Sequence, residues 1–138
     1  MFSVRSPLAW FLLLAAGLCG CSGTPAAITG KVTLEGKEVT AGGVVLTPIA
    51  AEGDKFPGNP GQADVRPDGT YSMAIAPGPH GLAQRFTVRF TPPVPQLTAA
   101  TAKDAVVPYA GMVPKQAEVE IRPGSNVINI ELIPAPDK

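Results

Sequence analysis

Apolar and polar residues alternate with a period of two from Ile28 onward. Ile28, Gly30, Val32 and Leu34 fall on one side and Thr29, Lys31, Thr33 and Glu35 on the other, the pattern of a half-buried strand. Glu35-Gly36-Lys37 reads as a turn, and residues 44–49, apolar nearly throughout, read as a second strand that should lie deeper. After a loop rich in Gly, Pro and Asn at 50–60, residues 62–66 and 70–76 flank Pro67-Asp68-Gly69, which predicts a hairpin. Proline presets φ, aspartate bonds the backbone ahead of it, and glycine accepts the positive φ that closes a short turn. Pro77-Gly78-Pro79-His80-Gly81 is another turn, and residues 85–91 place Phe86, Val88 and Phe90 on one face as core. Residues 117–122 and 126–133 flank Pro123-Gly124-Ser125 as a closing hairpin, with Ile128, Ile130 and Leu132 sharing a face.

Two segments break this pattern. Residues 92–116 hold no sustained period and are punctuated by Pro92, Pro93, Pro95, Pro108 and Pro114. Unstructured loops longer than about 15 residues are uncommon in compact domains and tend to carry binding, so this is the loop in which to look for contacts. Near the start, residues 8–18 (LAWFLLLAAGL) are almost wholly apolar, yet too short to cross a bilayer as a stable helix.

Composition supports one modest β-rich domain. Sixteen prolines and fifteen glycines, with 6% aromatics, favour short strands joined by turns. Eleven basic side chains balance eleven acidic ones, and no basic stripe is present, which argues against a nucleic-acid partner. These signals together predict an all-β fold, an antiparallel β-sandwich of about seven strands, immunoglobulin-like or transthyretin-like.

The apolar run leads into Leu18-Cys19-Gly20-Cys21, with Arg5 and the amino terminus as a positive n-region. This resembles the lipobox of bacterial lipoproteins, although Cys19 occupies a position usually held by Ala, Ser, Thr or Val. The resemblance implies removal of residues 1–20 as a signal peptide and lipidation of Cys21, including a palmitate-type acyl group. Residues 21–27 would then be a tether, 28–134 the sandwich domain and 135–138 a tail. No cysteine follows Cys21, so no disulfide framework is expected. Ser22 rather than aspartate after the acylated cysteine resembles lipoproteins passed to an outer membrane or cell surface.

Ile28-Thr29-Gly30-Lys31-Val32-Thr33-Leu34-Glu35-Gly36-Lys37-Glu38-Val39, followed by Gly43-Val44-Val45-Leu46-Thr47-Pro48, resembles the opening of the bacterial carboxypeptidase regulatory-like domains. Pro67-Asp68-Gly69-Thr70-Tyr71-Ser72-Met73 is similar to their central D-x-x-G-x-Y hairpin. Val107-Pro108-Tyr109 and Ile121-Arg122-Pro123-Gly124-Ser125-Asn126 are similar to segments near their end. Glu38 stands where the family favours proline and Leu46 where it favours phenylalanine. The resemblance implies a transthyretin or prealbumin-like fold on an exported, surface-attached protein, and no particular reaction.

The chemistry-bearing residues are few. One histidine, His80, sits in a turn and reads as solvated surface, which leaves no triad or zinc site. Asp64 and Asp68-Gly69 do not fit a calcium loop, because Arg66 falls at a ligand position and Ile75 where the bidentate glutamate belongs. Lys31 with Asn126 or Asn129 could be considered for an intramolecular cross-link, yet their phase points them to solvent. Tyr71 and Tyr109, with Phe56, are the candidates for an aromatic platform that stacks on sugar. The expectation is a lipid-anchored, non-catalytic structural or protein-interaction module at the cell envelope, without a cofactor or metal. Its partners would be the membrane through the lipid, and envelope proteins or glycans through the loops. The alternative is a carbohydrate-binding or adhesin-like surface module.

Overall fold

The computed structural model describes residues 23–53, 55–79, 81–95 and 106–137. The segment expected to be a signal peptide, Cys21 and His80 lie outside the described residues, as does the middle of the long proline-rich loop. Ten strands follow in chain order: β1 (Ala26–Leu34), β2 (Lys37–Glu38), β3 (Gly43–Pro48), β4 (Gly61–Asp64), β5 (Thr70–Ile75), β6 (Arg85–Thr91), β7 (Met112–Pro114), β8 (Glu118–Glu120), β9 (Gly124–Val127) and β10 (Ile130–Pro134). They form a two-layer all-β sandwich. In the first sheet β1 is central, with β5 and β2 antiparallel on one side and β9 and β10 parallel on the other, and β7 beyond β10. The second sheet is antiparallel, in the order β4-β3-β6-β8.

Inward positions are those the alternation selects. Ala26, Ile28, Val32, Tyr71, Met73, Ile75, Ile130 and Leu132 from the first sheet meet Val44, Leu46, Phe86, Val88, Phe90 and Val119 from the second. Burial of each large apolar side chain contributes about 1.5–3 kcal/mol. β1 starts at Ala26 rather than Ile28, because the small, fully buried Ala26 continues the inward row. β3 alternates instead of lying deep. Val44 and Leu46 face inward while Val45 is half-buried, since no third layer covers the outer face among the described residues. Between β1 and β2, Glu35 and Gly36 both take positive φ (52° and 79°), the geometry of a two-residue hairpin whose twist matches the strands.

Both predicted hairpins are sheet-crossing corners instead. The local turn at Pro67-Asp68-Gly69 forms as its residues dictate: Gly69 N–H donates to the Arg66 carbonyl and Arg66 N–H to the Thr70 carbonyl, each at 2.8 Å. Asp68 accepts from the Thr70 amide at 3.0 Å and the Thr70 hydroxyl at 2.6 Å. The hydroxyl bond, first among these contacts, holds the Asp68 carboxyl below its ordinary range. Yet β4 pairs with β3 and β5 with β1. The arms face one another across the core, and Gly61 leaves the room that Met73 and Ile75 fill, since a Cβ there would lie 2.7 Å from each. The Pro123 corner does the same, passing from β8 in the second sheet to β9 in the first. A turn's local chemistry sets its bend but not whether its arms share a sheet.

The pairing of β1 with the C-terminal strands carries one irregularity. Between β9 and β10, Ile128 N–H donates to the Thr29 carbonyl at 2.8 Å, while Lys31 N–H finds the Asn129 side-chain oxygen at 3.1 Å. The Ile128 carbonyl turns over Gly30, where a Cβ would sit 1.9 Å from its oxygen. Only glycine permits this approach. Gly30→Ala is therefore expected to destabilise the domain by ~3 kcal/mol through forced displacement of the C-terminal strand. Urea unfolding checks it, and a midpoint unchanged from the parent would contradict the tight approach.

Candidate functional site

Tyr71 lies inside the sandwich, on the inward row of β5 with Met73 and Ile75. It is 1% exposed, and its hydroxyl donates to the Ile128 carbonyl at 2.6 Å. The side chain thus satisfies the carbonyl that Gly30 allows to leave the ladder, and no face of its ring is open for a sugar. The proposed sugar-stacking role of Tyr71 is corrected on that ground. Burial pushes its phenol up from 10.0 to about 12.

Tyr109 is half-buried and takes φ 60°, in a turn closed by Met112 N–H donating to its carbonyl. Its ring meets Phe90 edge-on, with centroids 6.3 Å apart and planes at 85°. Its hydroxyl accepts from the Thr40 amide and bonds the Thr40 hydroxyl, both at 3.3 Å. The Thr40 hydroxyl contact, then the amide, holds the phenol below its ordinary value. Tyr109 pins the end of the long loop to the segment before β3. Phe56 stands elsewhere, 69% exposed, so the three aromatics form no common platform.

Lys31 and the two asparagines do not meet as a reactive set. The Lys31 ammonium pairs with Glu38 at 3.6 Å, and Asn129 bonds the Lys31 backbone. Asn126 accepts from Arg122 N–H and donates to the Arg122, Gly124 and Ala27 carbonyls, which staples the Pro123 corner to β1.

The topology separates two ends of the sandwich. At one end, β1 begins beside Ile75 and Gly124, and Gly23 lies against Pro77. Gly58 packs on Ala83 and on Gly78 there, and Gly78 and Gly81 bridge into a tight turn. These loops enclose an apolar cleft of about 360 Å³ bordered by Ile49, Ala50, Phe56, Leu82, Ala83 and Arg85. Arg85 is paired with Glu118. At the opposite end lie the Glu35-Gly36 turn, the Pro67 corner and Tyr109. The sequence reading missed the cleft, whose apolar residues come from two loops with no period to mark them.

No family model matches the chain, and no curated protein matches it. Among solved structures, it is similar to a DUF3823 family protein from Parabacteroides merdae, at 14% identity and a TM-score of 0.48. That match covers 81% of this chain and 47% of the other, so the chain spans about half of that protein's length. It is also similar to the dioxygenase domain of a dioxygenase carbohydrate-binding protein fusion from the cellulolytic bacterium Streptomyces sp. SirexAA-E. Here the identity is 14% and the TM-score 0.41, with 86% and 84% of the two chains covered.

Tyr71→Phe is expected to cost ~1–2 kcal/mol, because the Ile128 carbonyl loses its donor inside the fold. The variant also isolates a pH effect. The raised phenol means that the folded chain holds its proton more tightly than the unfolded chain. Stability from this group is complete below pH 10 and is lost as pH rises through about 12. Unfolding midpoints across that window should fall less steeply for Tyr71→Phe than for the parent.

Proposed function

We propose that the chain is an exported lipoprotein whose sandwich is a non-catalytic contact module held at a membrane of the cell envelope. The observation that carries this reading is the Leu18-Cys19-Gly20-Cys21 signal, set only Ser22 to Pro25 ahead of the first strand. Four extended residues reach at most ~14 Å, so a lipid on Cys21 would hold the domain close to the bilayer. The resemblance to carboxypeptidase regulatory-like domains supports a surface-attached module.

Anchoring through Cys21 also orients the domain. The tether leaves from the end that bears the apolar cleft, so Ala50, Phe56 and Leu82 would face the lipid. Short tethers plus exposed apolar side chains favour seating at the interface, as a lipid chain alone binds only reversibly. The end with the Pro67 corner and Tyr109 would face outward, available to other envelope components.

Intact mass and detergent partitioning of the membrane-extracted protein test the anchor. A mass of residues 21–138 plus lipid is expected, with partitioning lost in Cys21→Ala; an unlipidated, aqueous protein would sink the reading. Orientation is tested with a polarity-sensitive dye on Phe56→Cys and, separately, on Lys37→Cys at the far end. On vesicles the dye at position 56 should shift to the blue and the dye at position 37 should not.

A further inference from the structure

The apolar cleft at the end where β1 begins leaves little polar capacity open. Ile49 N–H donates to the Arg85 carbonyl at 2.9 Å, and Gly78 and Gly81 exchange backbone bonds at 2.8 and 3.1 Å. The Arg85 guanidinium turns to Glu118. The Gln84 carbonyl accepts from Ile121 N–H at 2.8 Å, and the exposed Gln84 also borders the neighbouring surface of Glu120 and Arg122. What faces the cleft is chiefly hydrocarbon, from Ile49, Ala50, Phe56, Pro57, Leu82 and Ala83. A sugar or a peptide entering it would need donors and acceptors to replace those of water. A hydrocarbon chain needs none and gains by leaving water.

The chain's own path brings such a hydrocarbon within reach. Gly23 lies on Pro77, where a Cβ would stand 3.5 Å from the proline ring. Pro77 leads directly into Gly78, which bridges to Gly81 on the border of the cleft. Gly78 also stands against Gly58, the residue after Pro57 of the lining. Cys21 precedes Gly23 by two residues and so lies at most ~7 Å from it. An acyl chain spans one leaflet, about half of the ~30 Å hydrocarbon core of a bilayer. A chain on Cys21 is therefore long enough to pass Pro77 and enter the cleft.

We infer that the cleft holds the acyl chain carried by Cys21. The inference rests on the lipid anchor proposed above and deepens it, by giving the acyl chain a seat on the protein. A phospholipid of the bilayer offers the same chemistry, but attachment at Cys21 presents its chain to the cleft at high effective concentration. The bound chain takes the face of Phe56, 69% exposed, out of water together with Leu82. It also fixes which face of the domain meets the membrane, since a flexible tether by itself leaves the domain free to turn.

Photo-cross-linking tests it. Bacterial cells producing the full chain are fed a palmitate analogue that carries a diazirine and are irradiated before extraction, and the digested protein is read by mass spectrometry. The expected product joins the acylated Cys21 peptide to residues 49–57 or 81–85. Ala50→Trp, which fills the cleft from an exposed loop position, should remove most of that product while the thermal unfolding midpoint stays at the parent's value. Acylated Cys21 whose products lie only on bilayer lipid, or on other faces of the domain, would overturn the inference and leave the anchor standing. A phospholipid adduct in the cleft in place of the Cys21 product would do the same, by giving the cleft to a bilayer chain. A product undiminished in Ala50→Trp would also overturn it. Cys21 without an acyl group would overturn both the inference and the anchor.

Discussion

The ladder that joins the first strand to the C-terminal strands is interrupted by one carbonyl that turns out of it. Ile128 turns its oxygen over Gly30, and the Tyr71 hydroxyl, from the strand on the other side of β1, takes it at 2.6 Å. Three strands distant in sequence are locked at one point: β1 supplies the gap, β5 the donor and the β9 to β10 junction the acceptor. A buried carbonyl without a partner is costly, so glycine, tyrosine and the break in the ladder are mutually dependent. Asn129 completes the exchange by offering its side-chain oxygen to the Lys31 amide that the departed carbonyl leaves open.

That junction holds the first sheet in register, with β5 on one side of β1 and the C-terminal strands on the other. With β1 central and the C-terminal strands parallel to it, the Pro67 and Pro123 corners take the chain across the core at opposite ends. One end gathers the start of β1 and the apolar loops around Phe56. The other gathers the Glu35-Gly36 turn, the Pro67 corner and Tyr109. Attachment and contact with other envelope components are proposed for opposite ends, an arrangement in which a short tether does not obstruct the contact surface.

Much of the interior was legible along the chain. Phe86, Val88 and Phe90, or Ile28 and Val32, declare their side by period alone, since a pleated strand points successive side chains to opposite faces. Tyr71, taken from the sequence as a stacking surface, shares its parity with Met73 and Ile75 and belongs to the core. The candidate site was far less legible. Phe56 and Leu82 meet only through the packing of two loops.

The sequence by itself determined the all-β class, the inward rows and the positions of the bends, because each of these follows from neighbours a few residues apart. Tertiary structure alone decided which strands pair, that both apparent hairpins cross between sheets, and that Phe56 and Leu82 border one cleft. Those outcomes rest on contacts between residues far apart in the chain, where one inward-facing strand can pair equally well, by local chemistry, with several others. The choice falls to the packing of the whole core and to the few backbone groups, such as the Ile128 carbonyl, that only one arrangement satisfies.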